Sequence, residues 1–129
     1  MTRGRIVLIT DKHIFTSVEF NGDMYLKDGH GEEVIERLSR VKDCEDFIDE
    51  VIEFNDNNFG YDYDGIIGEV DEIDFSKDFY RYWSDFVYIK NIGKDREITL
   101  RNGNKDVIGK GEIVIFDEGV KYELCKVNG

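Results

Sequence analysis

EEVIERLSRVKDCEDFIDEVIEFN, residues 32–55, holds two amphipathic helical patterns back to back. In the first, over 32–41, Val34, Ile35, Leu38 and Val41 recur at helical spacing. Glu32 and Glu33 sit in its first turn, where the backbone dipole favours carboxylates. The second spans 44–55. Asp43 is a good N-cap, Glu45 and Asp46 follow in the first turn, and Phe47, Ile48, Val51, Ile52 and Phe54 form the apolar stripe. Asn57, Asn58 and Gly60 stop it.

Either side of this helical pair the pattern changes to β. Residues 6–10 and 14–20 read as two strands around Asp11 and Lys12, rich in the Ile, Val, Phe and Thr that suit a pleated, half-buried surface. Asn21-Gly22-Asp23 and Asp28-Gly29-His30-Gly31 then mark a loop. Downstream, 86–92, 97–101, 112–116 and 122–127 read as strands, separated by turn signals at Gly93-Lys94-Asp95, Asn102-Gly103-Asn104 and Glu118-Gly119. The stretch 61–84 is dense in carboxylates and rings with weak periodicity. A short strand at Ile66-Ile67 and a helical turn at 77–83 are its clearest signals. Helices segregated from strands predict an α+β domain over 1–129. An N-terminal hairpin and a C-terminal β meander would form an antiparallel sheet, with two helices packed on one face.

The chain has 129 residues, enough to bury a core without metal or disulfide staples. Its two cysteines, Cys44 and Cys125, make neither a zinc motif nor a disulfide framework, and they read as free thiols in a reducing cytosol. No apolar run approaches the roughly 20 residues that a membrane span needs. Four apolar residues after Arg5 are too few for a signal peptide. The expected location is the cytoplasm.

The net charge is −12, and its distribution is uneven. Residues 43–85 hold 15 acidic against two basic residues, Lys77 and Arg81, for a net −13; the remainder holds 14 acidic and 15 basic residues, netting +1. The same span is rich in rings, which protein interfaces favour as anchors. Nucleic-acid mimicry accounts for both. A protein that recognises phosphates with Lys and Arg can be occupied by a fold presenting carboxylates in a similar lattice. The candidate lattice is Glu45, Asp46, Asp49, Glu50, Glu53 and Asp56 on the second helix, extended by Asp62, Asp64, Glu69, Asp71, Glu72 and Asp74, with Tyr61 and Tyr63 among them. The plainer reading is that the charge keeps the protein soluble.

Other chemistries have less support. Residues 60–71 partly follow a calcium-binding loop, with Gly65 at its sixth position, but Gly60 replaces the first carboxylate and Asp71 the closing Glu. The expectation is no metal and no cofactor. Of the two histidines, His30 between Gly29 and Gly31 is the better candidate base, yet no nucleophile motif accompanies it, so no catalytic residue is assigned. Net charge disfavours direct nucleic-acid binding.

Thr2-Arg3-Gly4, the loop Asp23-Met24-Tyr25 with Gly29 and Gly31, and the strand Trp83-Ser84-Asp85-Phe86-Val87-Tyr88-Ile89 together resemble small acidic phage and prophage accessory proteins of unknown function. In that group the loop reads Asp-Gly-Tyr-Pro; here Met24 stands for the glycine and Leu26 for the proline. The resemblance implies a phage setting, where small acidic proteins are often inhibitors of host defence, and it supplies no active-site residue. The resulting expectation is a non-enzymatic inhibitor of a basic, nucleic-acid-binding host protein, such as a CRISPR nuclease. The runner-up is an assembly protein that forms a homodimer or larger assembly through the β meander.

Overall fold

The computed structural model describes residues 2–62, 67–71, 84–100, 103–118 and 120–121, with backbone alone at 67–71, 99 and 120. In chain order the elements are β1 (Arg3–Ile9), β2 (His13–Ser17), β3 (Phe20–Asn21), α1 (Gly31–Ser39), α2 (Cys44–Asn58), β4 (Ile67–Asp71), β5 (Phe86–Asn91), β6 (Arg96–Thr99), β7 (Lys105–Ile108), β8 (Ile113–Asp117) and β9 (Val120–Lys121). The class is α+β, as the segregation of helical and strand patterns predicts. The expected helical turn at 77–83 and strand at 122–127 lie outside the described residues.

The hairpin forms at the expected place. Thr10 closes it, donating its backbone N–H to the His13 carbonyl while its hydroxyl accepts from the His13 N–H. The second strand is shorter than expected. It breaks at Val18 and Glu19 and resumes as β3, which pairs with the start of β1. Glu19 lies at this break, accepting from the Ser84 hydroxyl at 2.6 Å and facing Arg3 and Arg5.

Among the described residues the main sheet runs β4-β2-β1-β5-β8-β9, with β3 also on β1. Most pairings are antiparallel, but β1 and β5 run parallel, from Gly4 opposite Phe86 to Ile9 opposite Asn91. The whole helical pair lies between these two strands in sequence, which is the long connection that a parallel pair requires. The C-terminal strands are not a plain meander. β8 pairs directly with β5, and β6 with β7 forms a separate two-stranded excursion between them.

Strand alternation divides the core into two layers. On one face, Ile6, Leu8, Phe86, Tyr88 and Ile115 pack with Val34 and Leu38 of α1 and Phe47, Val51 and Phe54 of α2. On the other, Val7, Ile9, Val87, Ile89, Val114 and Phe116 pack with Ile98 of β6 and Ile108 of β7. The helices thus cover one face as expected, and the excursion folds back over the opposite face.

Candidate binding surface

Helix α2 carries most of the described part of the expected lattice. Its start is fixed by a reciprocal cap. Asp43 Oδ1 accepts from the Asp46 N–H at 2.8 Å, and Asp46 Oδ2 accepts from the Lys42 N–H at 2.9 Å. Its end comes three residues later than expected. Asn55, fully buried, accepts from the Phe59 and Gly60 N–H groups through its carbonyl, and its side chain binds both the N–H and the carbonyl of Tyr61. Gly60 makes this return with φ of +72°, a left-handed conformation that suits glycine.

At about 100° per residue, Glu45, Asp49, Glu53 and Asp56 fall within about 80° of one another around α2 and span about 16 Å of its length. All four are exposed, and the buried Phe47, Val51 and Phe54 lie on the opposite side. Of these four, Glu53 also pairs with Arg37 of α1, and the other two helix carboxylates are engaged inside the fold. Asp46 serves the cap, while Glu50 joins an ion cluster between the helices.

In that cluster Arg37 of α1, only 7% exposed, reaches Glu33 at 2.8 Å, Glu50 at 2.9 Å and Glu53 at 3.1 Å. Arg40 grips both oxygens of Glu50, at 2.9 and 3.1 Å. Burial pulls the Arg37 guanidinium down, but the hydrogen bonds it donates to Glu33, Glu53 and Glu50 outweigh it and leave it above its ordinary value. The Arg40 hydrogen bond, opposed by burial and aided by Arg37, holds the Glu50 carboxyl below its ordinary 4.5. A carboxylate depressed in the folded state contributes stability that is present above its unfolded value and is lost as pH falls through the folded one. Glu50→Gln therefore lowers stability at neutral pH. It also loses less than the parent between about pH 5 and pH 3, which a pair of urea titrations at those pH values measures.

Beyond α2 the expected residues separate. Asp62 is exposed, next to Tyr61, whose ring stacks on Phe20 at 5.8 Å and whose hydroxyl accepts from the Asn21 N–H. Tyr61 is thus partly a core ring and not a free anchor. Glu69 and Asp71 lie on β4, where register sets them opposite Phe15 and His13. A strand there is not the closing turn of a calcium loop. Tyr63, Asp64, Glu72 and Asp74 lie outside the described residues. Among the described residues no group of three or more His, Cys, Asp and Glu is placed to hold a metal ion.

Two clefts flank the loop before α1. One, lined by Asp23, Lys27, Asp28, Gly29, His30 and Glu32, is open and polar. The His30 ring is half-buried at its side, edge-on to Phe54 at 5.6 Å and tilted on Phe59 at 5.3 Å. The other cleft, of about 230 Å³, is lined by Thr2, Tyr25, Asp85, Phe86, Asp117 and Glu118. The sequence singles out neither the Arg37 cluster nor the cleft at Tyr25, which it marks only as part of the Asp23-Met24-Tyr25 loop. The i,i+4 spacings Glu33–Arg37 and Glu36–Arg40 are visible signals, but the reach of both arginines to α2 is not.

No family model and no solved structure matches the chain. An uncharacterised protein of Acanthamoeba polyphaga mimivirus is 30% identical to it over 105 residues, 80% of this chain. The chain spans about one eighth of that relative's length (12%), so the similarity is to one segment of a much larger viral protein. No helix among the described residues is long and apolar enough to cross a membrane.

Proposed function

We propose that this chain is a non-enzymatic, cytoplasmic binding domain of viral or phage origin. It occupies a basic, nucleic-acid-binding host protein, such as a defence nuclease, with carboxylates placed where phosphates would bind. The carrying observation is the exposed stripe Glu45, Asp49, Glu53 and Asp56 on one side of α2, opposite the helix's buried face. A rigid helix presents such charges in fixed order, so little entropy is lost when a partner's Lys and Arg side chains meet them. The net charge of −12 adds long-range attraction that speeds encounter with a basic surface. The viral relative supports the setting.

The fold also selects which residues to test. Reversing Asp46 or Glu50 would break the α2 cap or the interhelical cluster, and lost binding would then report lost structure. Glu45, Asp49 and Asp62 are exposed, and among the described residues they take no part in the Asp43–Asp46 cap or the Arg37 ion cluster. The triple variant Glu45→Lys, Asp49→Lys, Asp62→Lys is expected to keep its circular dichroism and to lose only about 1 kcal/mol of stability, since Glu45 sits in the first turn of α2. Its affinity for a basic partner should fall at least about 100-fold, from several kcal/mol of reversed contacts. Full affinity in a folded triple variant would end the mimicry reading. Self-association through the C-terminal strands has less support, since Ile98 and Ile108 are already buried against the chain's own sheet.

A further inference from the structure

We propose that the cleft walled by Tyr25 is the socket for an arginine side chain of a basic protein partner. This deepens the reading above and rests on it for the nature of the partner, but it concerns different residues.

Tyr25 is 51% exposed, while Met24 and Leu26 on either side of it are buried. The ring is therefore held outward by a segment anchored in the core. The Tyr88 hydroxyl donates to the Met24 carbonyl, and the Gly31 N–H donates to the Tyr25 carbonyl at 3.0 Å. Gly31 permits this closeness, because a Cβ there would stand 2.5 Å from the Leu26 Cα and 2.7 Å from the Tyr25 oxygen. A fixed, exposed aromatic ring loses little freedom on binding, which is why such rings serve as interface anchors. Tyr25 meets the Phe86 ring edge-on at 5.9 Å, and the two form the apolar wall of the cleft.

The opposite lining is acidic. Asp85 already accepts from the Arg3 N–H at 3.0 Å and has the Arg3 guanidinium at 3.6 Å. Asp117 and Glu118 make no ion pair with the described residues, and the cleft sets these two carboxylates beside an exposed ring. A guanidinium satisfies both walls at once. Its plane stacks on an aromatic face and its N–H fork meets carboxylates, whereas an ammonium keeps its hydration more strongly and does not stack as a plane. The place also fits the acidic stripe. Asp62 follows Tyr61, Tyr61 holds Asn21, and the Gly22 N–H donates to the carbonyl of Thr2, which lines the cleft.

The test titrates the full chain with a nona-arginine peptide and, separately, a nona-lysine peptide at low salt, by calorimetry. Tyr25→Ala changes no charge. It should weaken nona-arginine binding about 5- to 20-fold, the range of a cation–π contact, and nona-lysine binding less. Tyr25→Phe should stay within about twofold of the parent, since stacking needs the ring and not the hydroxyl. The pair Asp117→Asn, Glu118→Gln, which leaves the Tyr25 loop intact, should also weaken nona-arginine binding and narrow the parent's preference for nona-arginine over nona-lysine. Nona-arginine binding within twofold of the parent in Tyr25→Ala, or equal losses for both peptides, overturns the socket. If Tyr25→Ala binds like the parent while the Glu45, Asp49, Asp62 reversal abolishes binding, the socket fails and the mimicry reading stands. The converse pattern keeps the socket and removes the stripe.

Discussion

Phe54→Ala is expected to destabilise the fold by about 3–5 kcal/mol, the usual cost of deleting a fully buried aromatic side chain. Phe54 is fully buried and sits where three elements meet. Its ring lies edge-on to Phe20 of β3 at 5.1 Å, tilted on Phe59 at 5.8 Å, and receives the edge of His30 at 5.6 Å. Removing it empties the centre of this cluster and frees the C-terminal turns of α2. Thermal melting should show a loss of about 10 °C or more. Phe54→Leu keeps much of the volume and should cost clearly less. A shift of only a degree or two for the alanine variant would mean that the helices are not seated on the sheet as described.

Arg37→Ala is the second large effect, expected at about 2–4 kcal/mol, at the lower end for a buried pair because Glu53 and Glu33 reach solvent. Its removal leaves Glu33, Glu50 and Glu53 facing one another across the two helices. Arg40 continues to hold Glu50 but reaches neither of the others. The loss is mainly the cost of stranded charge, so replacing both ends should recover much of it. Arg37→Met with Glu50→Met is expected to be more stable than Arg37→Ala alone, because a paired ion cluster exchanged for apolar volume is often neutral. A double-mutant cycle in urea reads the coupling directly. Additive single effects would show that Arg37 contributes only packing of its stem.

The parts of this architecture that depend on local chemistry could be read from the chain. The Asp43 cap, the helical stripes of α1 and α2 and the β runs of Ile6–Ile9 and Phe86–Ile89 follow from spacing and residue type. The parallel β1–β5 pairing could not, because its partners stand about 80 residues apart and nothing in either strand encodes the direction of its neighbour. β7 was missed because Lys105-Asp106-Val107-Ile108 buries only Ile108 fully and reads as part of a turn-rich stretch. The acidic helix was legible as a count of charges, but its division into roles was not. Glu50 and Glu53 meet arginines from the neighbouring helix, Asp46 turns back to the cap, and Glu45 and Asp49 face outward. Tyr25 belongs to the loop that carries the family resemblance, but its role as an exposed ring is not legible, since a tyrosine in a glycine-rich loop is ordinary until its buried neighbours are seen to fix it.

The central claim is that the outward carboxylates stand in for phosphates, and competition tests it most directly. The immobilised chain is exposed to a bacterial lysate at low and high salt, with and without duplex DNA. The account predicts capture of a basic, nucleic-acid-binding protein that is released by salt and displaced by the DNA. Capture of nothing, or of a salt-resistant partner indifferent to DNA, would contradict it and leave the acidic helix as a solubilising surface.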